Sequence, residues 1–503
     1  MADLSPDQAL AWDAAVALLK AAGIDMRAAE TWPPLGREGL LAITGRAGSG
    51  KSLLLAELSR ALRDAGVLVV SPDYERKRRD RRSFAVLAPT NKAASVLRSR
   101  GVPATTIHRI LYTPVYDPAF EKVAAWLSGE GERPAAGTLT DAQMDRARAS
   151  HEAHGSVFAA LAAAGLRGSD FIKGWTRREN PLDLGLVDEA SMLDERALDD
   201  LRAIFPTLLL FGDPAQLPPV QGTGVHSAGM IFDRLAPAQL RTLTRVHRQE
   251  AGNPILDLSE SLADPALGFD GFESLVEQAA RRDPRVIVSP RADSDLMARS
   301  PMLVWRNATR IRLIHAFRAA HGSPEGGLLP GEPLLCDGIE LPVKLRRKRN
   351  DLEARGLIKG AQVIYLGPGS RPGFSRLHVV GAEDPQVSAA SIVRIEREGE
   401  EEPHLPFAAQ MGATFLHGAA VTIHKAQGSQ WDVVQVFAPD LLVAARMGRV
   451  EGGQPLWKRL AYVAITRASR ELRWVTASRL ARPTRPLGVE DLRGASALEL
   501  TDG

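Results

Sequence analysis

The segment that most restricts the fold of this chain is Gly45-Arg46-Ala47-Gly48-Ser49-Gly50-Lys51-Ser52. It fits G-x-x-x-x-G-K-[ST] at every fixed position. An apolar run, Leu40-Leu41-Ala42-Ile43-Thr44, precedes it, and Leu53-Leu54-Leu55-Ala56-Glu57-Leu58 follows with a helical pattern. Such a strand–loop–helix belongs to a parallel α/β sheet. The glycines let backbone N–H groups turn inward around phosphate oxygens. Lys51 supplies a point charge to the β and γ phosphates, and Ser52 a hydroxyl to Mg²⁺ at the positive end of a helix. Residues 45–52 are therefore the expected nucleotide-binding loop, with ATP and Mg²⁺ as cofactors.

Further apolar runs alternate with helical patterns. Phe84–Ala88, Leu184–Val187 and Thr207–Phe211 read as strands buried on both faces, as do Leu303–Trp305, Val421–Ile423, Val433–Phe437 and Leu472–Val475 later in the chain. A length of 503 residues is too great for one core, so two α/β domains are expected. Two stretches break the alternation. Residues 112–180 are rich in Ala, Gly and charge, and residues 330–412 in Pro, Gly and short β-like runs such as Ala361–Leu366. The net charge of +3 only hints at an anionic partner. The single cysteine, Cys336, excludes a disulfide framework and any multi-cysteine metal site. The start reads as no secretory signal, and no apolar run is long enough to span a bilayer, so a cytoplasmic protein is expected.

Two polar clusters follow buried strands, where ligands of parallel sheets bind. Asp188-Glu189 follows Leu184–Val187. Paired carboxylates there suit a metal ligand, Asp188, beside a general base for the attacking water, Glu189. Gln216, within Gly212-Asp213-Pro214-Ala215-Gln216-Leu217-Pro218-Pro219-Val220, stands on a turn stiffened by proline and can sense the γ-phosphate.

The order of these motifs resembles a superfamily 1 helicase, and closely its RecD/Dda-like (1B) branch, over most of the chain. Gln8, in Leu4-Ser5-Pro6-Asp7-Gln8, resembles the glutamine that reads adenine. Ala88-Pro89-Thr90-Asn91-Lys92-Ala93-Ala94 and Thr105-Thr106-Ile107-His108-Arg109-Ile110-Leu111 resemble the first DNA-contacting segments. Asp188–Met192 and Gly212–Val220 match the second and third motifs. Leu243-Thr244-Arg245-Val246-His247-Arg248-Gln249 resembles the segment that sends an arginine to the γ-phosphate. Val421-Thr422-Ile423-His424-Lys425-Ala426-Gln427-Gly428-Ser429 is similar to the fifth motif, and Tyr462-Val463-Ala464-Ile465-Thr466-Arg467-Ala468 to the sixth.

The resemblance implies two RecA-like parallel-sheet domains, 1–111 with 181–240 and 241–329 with 413–482. A duplex-splitting excursion would occupy 112–180, a small SH3-like β-barrel 330–412, and a tail 483–503. It implies Lys51, Glu189, Gln216, Arg248 and Arg467 as catalytic residues, and Gly428 beside the nucleotide. Asp188 and Ser52 would hold Mg²⁺. Pro89, Thr90, Asn91, Thr106, His108, Thr422, His424 and Lys425 would bind DNA, mostly through phosphates and sugars and thus without reading sequence. The implied activity is an ATP-dependent DNA helicase, a monomer translocating 5′ to 3′ on single-stranded DNA and acting at single/double-strand junctions.

Two departures stand out. The 112–180 excursion is longer and more helical than the compact form, with Tyr112, Tyr116, Phe120, Trp126 and Trp175 as its aromatics. Gln430 stands where many relatives carry a glutamate, which leaves the ribose contact open. Two basic runs, Arg76–Arg82 and Lys344–Arg349, are either phosphate contacts or solvated loops. An RNA substrate shares the same phosphate track and is told from DNA by its 2′-OH. A nucleic-acid-binding ATPase switch without unwinding also remains open, although a pure binder has no need of Glu189, Arg248 and Arg467.

Overall fold

The computed structural model describes residues 4–26, 36, 38–70, 82–98, 100–116, 118–134, 140–154, 160, 172–179, 181–218, 231–245, 252–340, 352–353, 355–382, 384–397, 404–408, 412–451, 453–489 and 492. Arg248, most of the run Arg76–Arg82 and the whole of Lys344–Arg349 lie outside them. The chain forms two compact units. Met1–Thr113, Arg177–Ser289 and Ala426–Thr476 make the first; Pro114–Thr176, Pro290–Lys425 and Ala477–Gly503 make the second.

The first unit is built on a parallel sheet whose order is Leu68–Val69, Ser83–Ala88, Leu184–Val187, Thr207–Gly212, Gly39–Gly45 and Leu240–Leu243. Ala104–Thr106 adds to Ser83–Ala88. The four runs read from sequence as doubly buried strands are its centre. In Ser83–Ala88, Leu184–Val187 and Thr207–Gly212 every residue is buried. Helices cover both faces, so both sets of alternating side chains leave water. One set, with Ile43, Phe84, Leu186, Leu209 and Phe211, packs on the helices Pro6–Ala21 and Lys51–Asp64. The other, with Ala42, Ala85, Val187, Leu208 and Leu210, packs on Ile107–Leu111 and Glu195–Ile204. Each such Phe or Leu contributes about 1.5–3 kcal/mol.

A second parallel pairing in this unit joins Trp431–Phe437 to Ala468–Leu480 in register Val434–Leu472, Val436–Trp474. The buried helix Leu456–Ile465 lies between those strands in sequence. In the second unit Met302–Val304 pairs in parallel with Ala420–Thr422. The fold is thus α/β with the two RecA-like parallel-sheet cores that the sequence implies.

The β-rich insertion is a closed ring. Pro333–Glu340 pairs with Gln362–Pro368, which pairs with Phe374–Val379, then Gln386–Ile395, then Gly412–His417, which returns to Pro333–Glu340. The ring closes on a strand that reaches Gly412–His417, past the expected boundary at 412. The excursion has a stem of two paired strands, Tyr112–Tyr116 and Ile172–Arg177, and between them the helices Pro118–Leu127 and Asp141–His154. Among the described residues no helix is long and apolar enough to cross a membrane.

Candidate active site

The phosphate loop joins the end of Gly39–Gly45 to the helix Lys51–Asp64. Gly48 (φ 86°) and Gly50 (φ 84°) are in the left-handed region, the conformation that turns successive amides to one side. Gly45 is needed for another reason. A Cβ there would lie 2.5 Å from Ser49 Oγ and 3.0 Å from the Leu243 carbonyl oxygen. Lys51 Nζ donates to the carbonyls of Gly45 (2.6 Å) and Arg46 (2.8 Å), which holds its charge over the loop.

The loop borders a cavity of about 450 Å³ within the first unit. Ala47, Gly48, Gly50, Lys51 and Ser52 line it, together with Asp188, Glu189, Gln216, Gly428, Thr466 and Arg467. Motifs up to about 420 residues apart therefore share one space, as parallel-sheet topology predicts. Gly45, Arg46 and Ser49 shape the loop from behind, and Gln8 is likewise not among the lining residues. Buried, Gln8 donates from Nε2 to the Ser49 carbonyl (3.2 Å) and accepts the Ser5 N–H (3.0 Å), so it braces the loop.

Asp188 follows strand Leu184–Val187, and its N–H donates to the Leu87 carbonyl of the neighbouring strand (2.8 Å). Burial, then the adjacent Glu189 charge, push its carboxyl up to about 7, and Lys51 and Arg100 oppose this. A buried carboxylate of this kind is relieved by a cation, and the Ser52 hydroxyl lines the same cavity. Glu189 has φ 51°, the only non-glycine positive φ among the described residues. Left-handed backbone costs an L-residue about 1–2 kcal/mol, and such strain collects at functional sites. It points Glu189 into the cavity, where its Oε2 accepts a hydrogen bond from Gln216 Nε2 at 3.2 Å. Gly212, at the end of the neighbouring strand, leaves room for Phe232 and for the backbone after Glu189: a Cβ there would lie 2.5 Å from Phe232 Cζ and 3.0 Å from Ser191 N.

Arg467 is buried. Its Nε donates to the Val463 carbonyl (3.1 Å) and its Nη1 to the Ser429 carbonyl (3.2 Å). Gly428 (φ 73°) comes close to Thr90: a Cβ on it would meet Ala93 Cβ at 3.6 Å and Thr90 Oγ1 at 3.7 Å.

Of the residues expected on DNA, Pro89, Thr90, Asn91, Thr106 and His108 lie in the first unit, at or just after the ends of the strands Ser83–Ala88 and Ala104–Thr106. Thr90 Oγ1 accepts the Ala93 N–H (3.1 Å), which caps the helix Asn91–Arg98 and leaves the hydroxyl hydrogen to donate. His108 is exposed at its surface side, its ring 4.9 Å from that of Tyr112, and partial desolvation of the ring lowers its pKa. Thr422, His424 and Lys425 lie in the second unit, at and after the strand Ala420–Thr422. There Thr422 Oγ1 accepts the Lys425 N–H (3.4 Å), the same device as at Thr90.

Sequence reading missed several residues of the cavity wall. Lys92 and Val96 line it one turn apart along the helix Asn91–Arg98, and Arg100 lines it from the turn beyond that helix. The i, i+4 spacing of the first two carried that signal. Gln430, at the position noted as a departure, also lines the cavity.

Comparison with known proteins finds the following similarities. The family described as AAA domain matches residues 35–281, and the family described as UvrD-like helicase C-terminal domain matches residues 417–475. The chain is 24% identical over 311 residues to the conjugal transfer protein TraA of Agrobacterium fabrum, covering 59% of this chain and 25% of that one. It thus spans about a quarter of that relative's length. It is 41% identical over 86 residues to the ATP-dependent RecD2 DNA helicase of Deinococcus radiodurans, 16% of this chain and 11% of that one. The Pif1 helicase of Candida albicans superposes with a TM-score of 0.47 at 16% identity, covering 95% of both chains.

Proposed function

From a chain that belongs to the RecD/Dda-like (1B) branch of the superfamily 1 helicases, we propose an ATP-driven motor that moves 5′ to 3′ along single-stranded DNA and unwinds duplex at the junction. The observation that carries this reading is the shared cavity. A nucleotide-binding loop, two carboxylates, a glutamine and an arginine from four separate segments line one space.

In this reading Glu189 takes a proton from the attacking water as its oxygen bonds the γ-phosphorus and the bridging P–O bond breaks. Gln216, bonded to Glu189, fixes the carboxylate and feels the departing phosphate. Arg467, with Arg248, offsets charge on the transferring phosphoryl group; such an arginine contributes about 10³–10⁵ in rate. Ser52 and Asp188 would hold Mg²⁺, which supplies charge neutralisation of the phosphates when bound. Residues 1–111 with 181–240 and 241–329 with 413–482 act as the two RecA-like motor domains. The excursion at 112–180 works on the duplex, and the 330–412 insertion is an SH3-like barrel. Thr90 and Thr422, each with a hydroxyl hydrogen to donate, are suited to phosphate oxygens without regard to sequence. The motor acts as a cytoplasmic monomer.

Unwinding of forked duplexes bearing a 5′ or a 3′ single-stranded tail tests the reading. Activity on the 5′ tail alone is expected. Activity on the 3′ tail alone would overturn the polarity, and stimulation of turnover by RNA but not DNA would overturn the substrate. ATP turnover indifferent to any nucleic acid would leave only a nucleotide switch.

A further inference from the structure

The helix Leu456–Ile465 carries two side chains, one turn apart, that reach different parts of the hydrolytic apparatus. Tyr462 Oη donates to Asp213 Oδ2 at 2.6 Å and accepts the Ala47 N–H at 3.1 Å. One hydroxyl thereby joins the phosphate loop to the segment that ends in Gln216. Arg459, three residues earlier and on the same helix face, donates from Nη1 to the carbonyls of Pro214 (3.1 Å) and Gln216 (2.5 Å). Its Nε donates to the Glu451 carbonyl at 2.9 Å. Asp213 also closes its own turn, accepting the Ala215 N–H at 2.9 Å.

Neither side chain lines the cavity. Tyr462 and Arg459 are only 3% and 4% exposed, and Asp213 is fully buried. A guanidinium buried against neutral carbonyls is costly unless its donors are satisfied, and burial does push the Arg459 pKa down. The arrangement places a desolvated cation under the carbonyls on either side of the Gln216 turn. A simple packing helix would do with an apolar residue there. The same helix is followed at once by Thr466 and Arg467, which do line the cavity.

We propose that Tyr462 and Arg459 are positioning residues that lock the phosphate loop, the Gln216 turn and the helix leading to Arg467 into one body. Loss of the γ-phosphate at Gln216 is then passed directly to Arg467. The proposal rests on the ATPase reading and adds the linkage through which the site acts.

Binding of a fluorescent ATP analogue with Mg²⁺ and steady-state turnover, measured on the full chain, test it. Tyr462→Phe keeps the ring and strands the Asp213 carboxylate and the Ala47 N–H. Its kcat is expected to fall about ten- to a hundredfold, the scale of a lost charged hydrogen bond, with nucleotide affinity within about threefold and melting temperature little changed. Arg459→Ala should lose at least as much. Arg459→Lys, which can still donate to a carbonyl of the turn, should recover part of it. In the double variant Tyr462→Phe/Arg459→Lys the losses should not multiply, because one lock is already open. Unchanged kcat in Tyr462→Phe and Arg459→Lys would overturn the proposal, as would multiplicative losses. If Arg459→Ala fails to fold, those two milder variants decide. A wild-type chain without ATP turnover would instead overturn the ATPase reading, and this linkage with it.

Discussion

Gln216 Nε2 donates to Glu189 Oε2 at 3.2 Å, so the residue proposed to sense the γ-phosphate holds the residue proposed to activate water. Glu189→Gln keeps the size and the backbone but not the base. Its kcat should fall about 10²–10⁴-fold, the usual share of a general base, while ATP binding persists. Gln216→Ala should lower kcat less, since Glu189 stays in the cavity with its orientation relaxed. Turnover with parallel nucleotide-binding measurements checks both.

The φ of 51° at Glu189 gives a second, independent expectation. Only glycine adopts that conformation without strain, so Glu189→Gly should be more stable than Glu189→Ala by about 1 kcal/mol, the reverse of the usual order. Both variants lack the base and should be equally inactive. Paired denaturant melts decide; an alanine variant as stable as the glycine variant would show that the backbone is not held there.

Gly45 stands where the loop has no room for a single methyl group. Gly45→Ala brings a Cβ within 2.5 Å of Ser49 Oγ and 3.0 Å of the Leu243 carbonyl oxygen. The loop must move, and ATP affinity should fall about tenfold or more, on the scale of overpacking costs of 1–3 kcal/mol. Removing the first obstacle in Gly45→Ala/Ser49→Ala should restore part of that affinity. The restoration cannot be complete, because the carbonyl obstacle remains. Titration with the fluorescent nucleotide reads both steps.

Lys92 carries a prediction that separates ATP from DNA. Among the described residues no hydrogen bond or ion pair engages its ammonium, and burial lowers its pKa in the cavity wall. An anion there would relieve the cost of an unpaired charge. Lys92→Met, of similar length, should weaken nucleotide binding about five- to thirtyfold, the loss of one charged contact. Binding of single-stranded DNA without nucleotide should be unchanged. A weaker DNA complex with intact ATP binding would place Lys92 on the nucleic-acid track instead.

Much of the first unit was legible because its strands are buried on both faces and so read as plain apolar runs, each followed by its functional residues. Lys51, Asp188, Glu189, Gln216, Gly428 and Arg467 do share one cavity. What stayed hidden depends on side chains meeting across long separations. Nothing in Trp457-Lys458-Arg459-Leu460-Ala461-Tyr462 shows that Tyr462 meets Asp213, 249 residues away. The same holds for the barrel, whose short alternating strands were visible but whose closure by Gly412–His417 was not. Gln8 shows a different limit. Its motif names a nucleotide contact; that its amide also braces the Ser49 carbonyl is visible only in the geometry.

A buried ionic cluster in the second unit should make stability depend on pH. Glu332 Oε2 accepts from Arg318 Nη1 (3.0 Å) and His417 Nε2 (2.9 Å), and Glu332 Oε1 accepts the Leu329 N–H (2.7 Å). His417 Nδ1 accepts the Ala419 N–H at 3.3 Å, so the ring is neutral with its proton on Nε2. Burial lowers the His417 pKa despite Glu332. Burial raises that of Glu332, but the hydrogen bond from His417, the charge of Arg318 and the Leu329 N–H outweigh it and hold the carboxyl below its usual range. The unfolded chain therefore binds protons that the folded one refuses, first at His417 below about pH 6.5 and then at Glu332 below about pH 4.3. Stability is full above the first value and falls as pH drops through each. His417→Gln, which can still donate to Glu332, should flatten the upper part of that slope and leave the lower part. Arg318→Met strands the Glu332 charge and should cost about 3–5 kcal/mol at neutral pH. Melting temperatures from pH 8 to 4 for the three proteins test this; a His417→Gln profile parallel to wild type above pH 5 would show that the histidine is not the group that titrates.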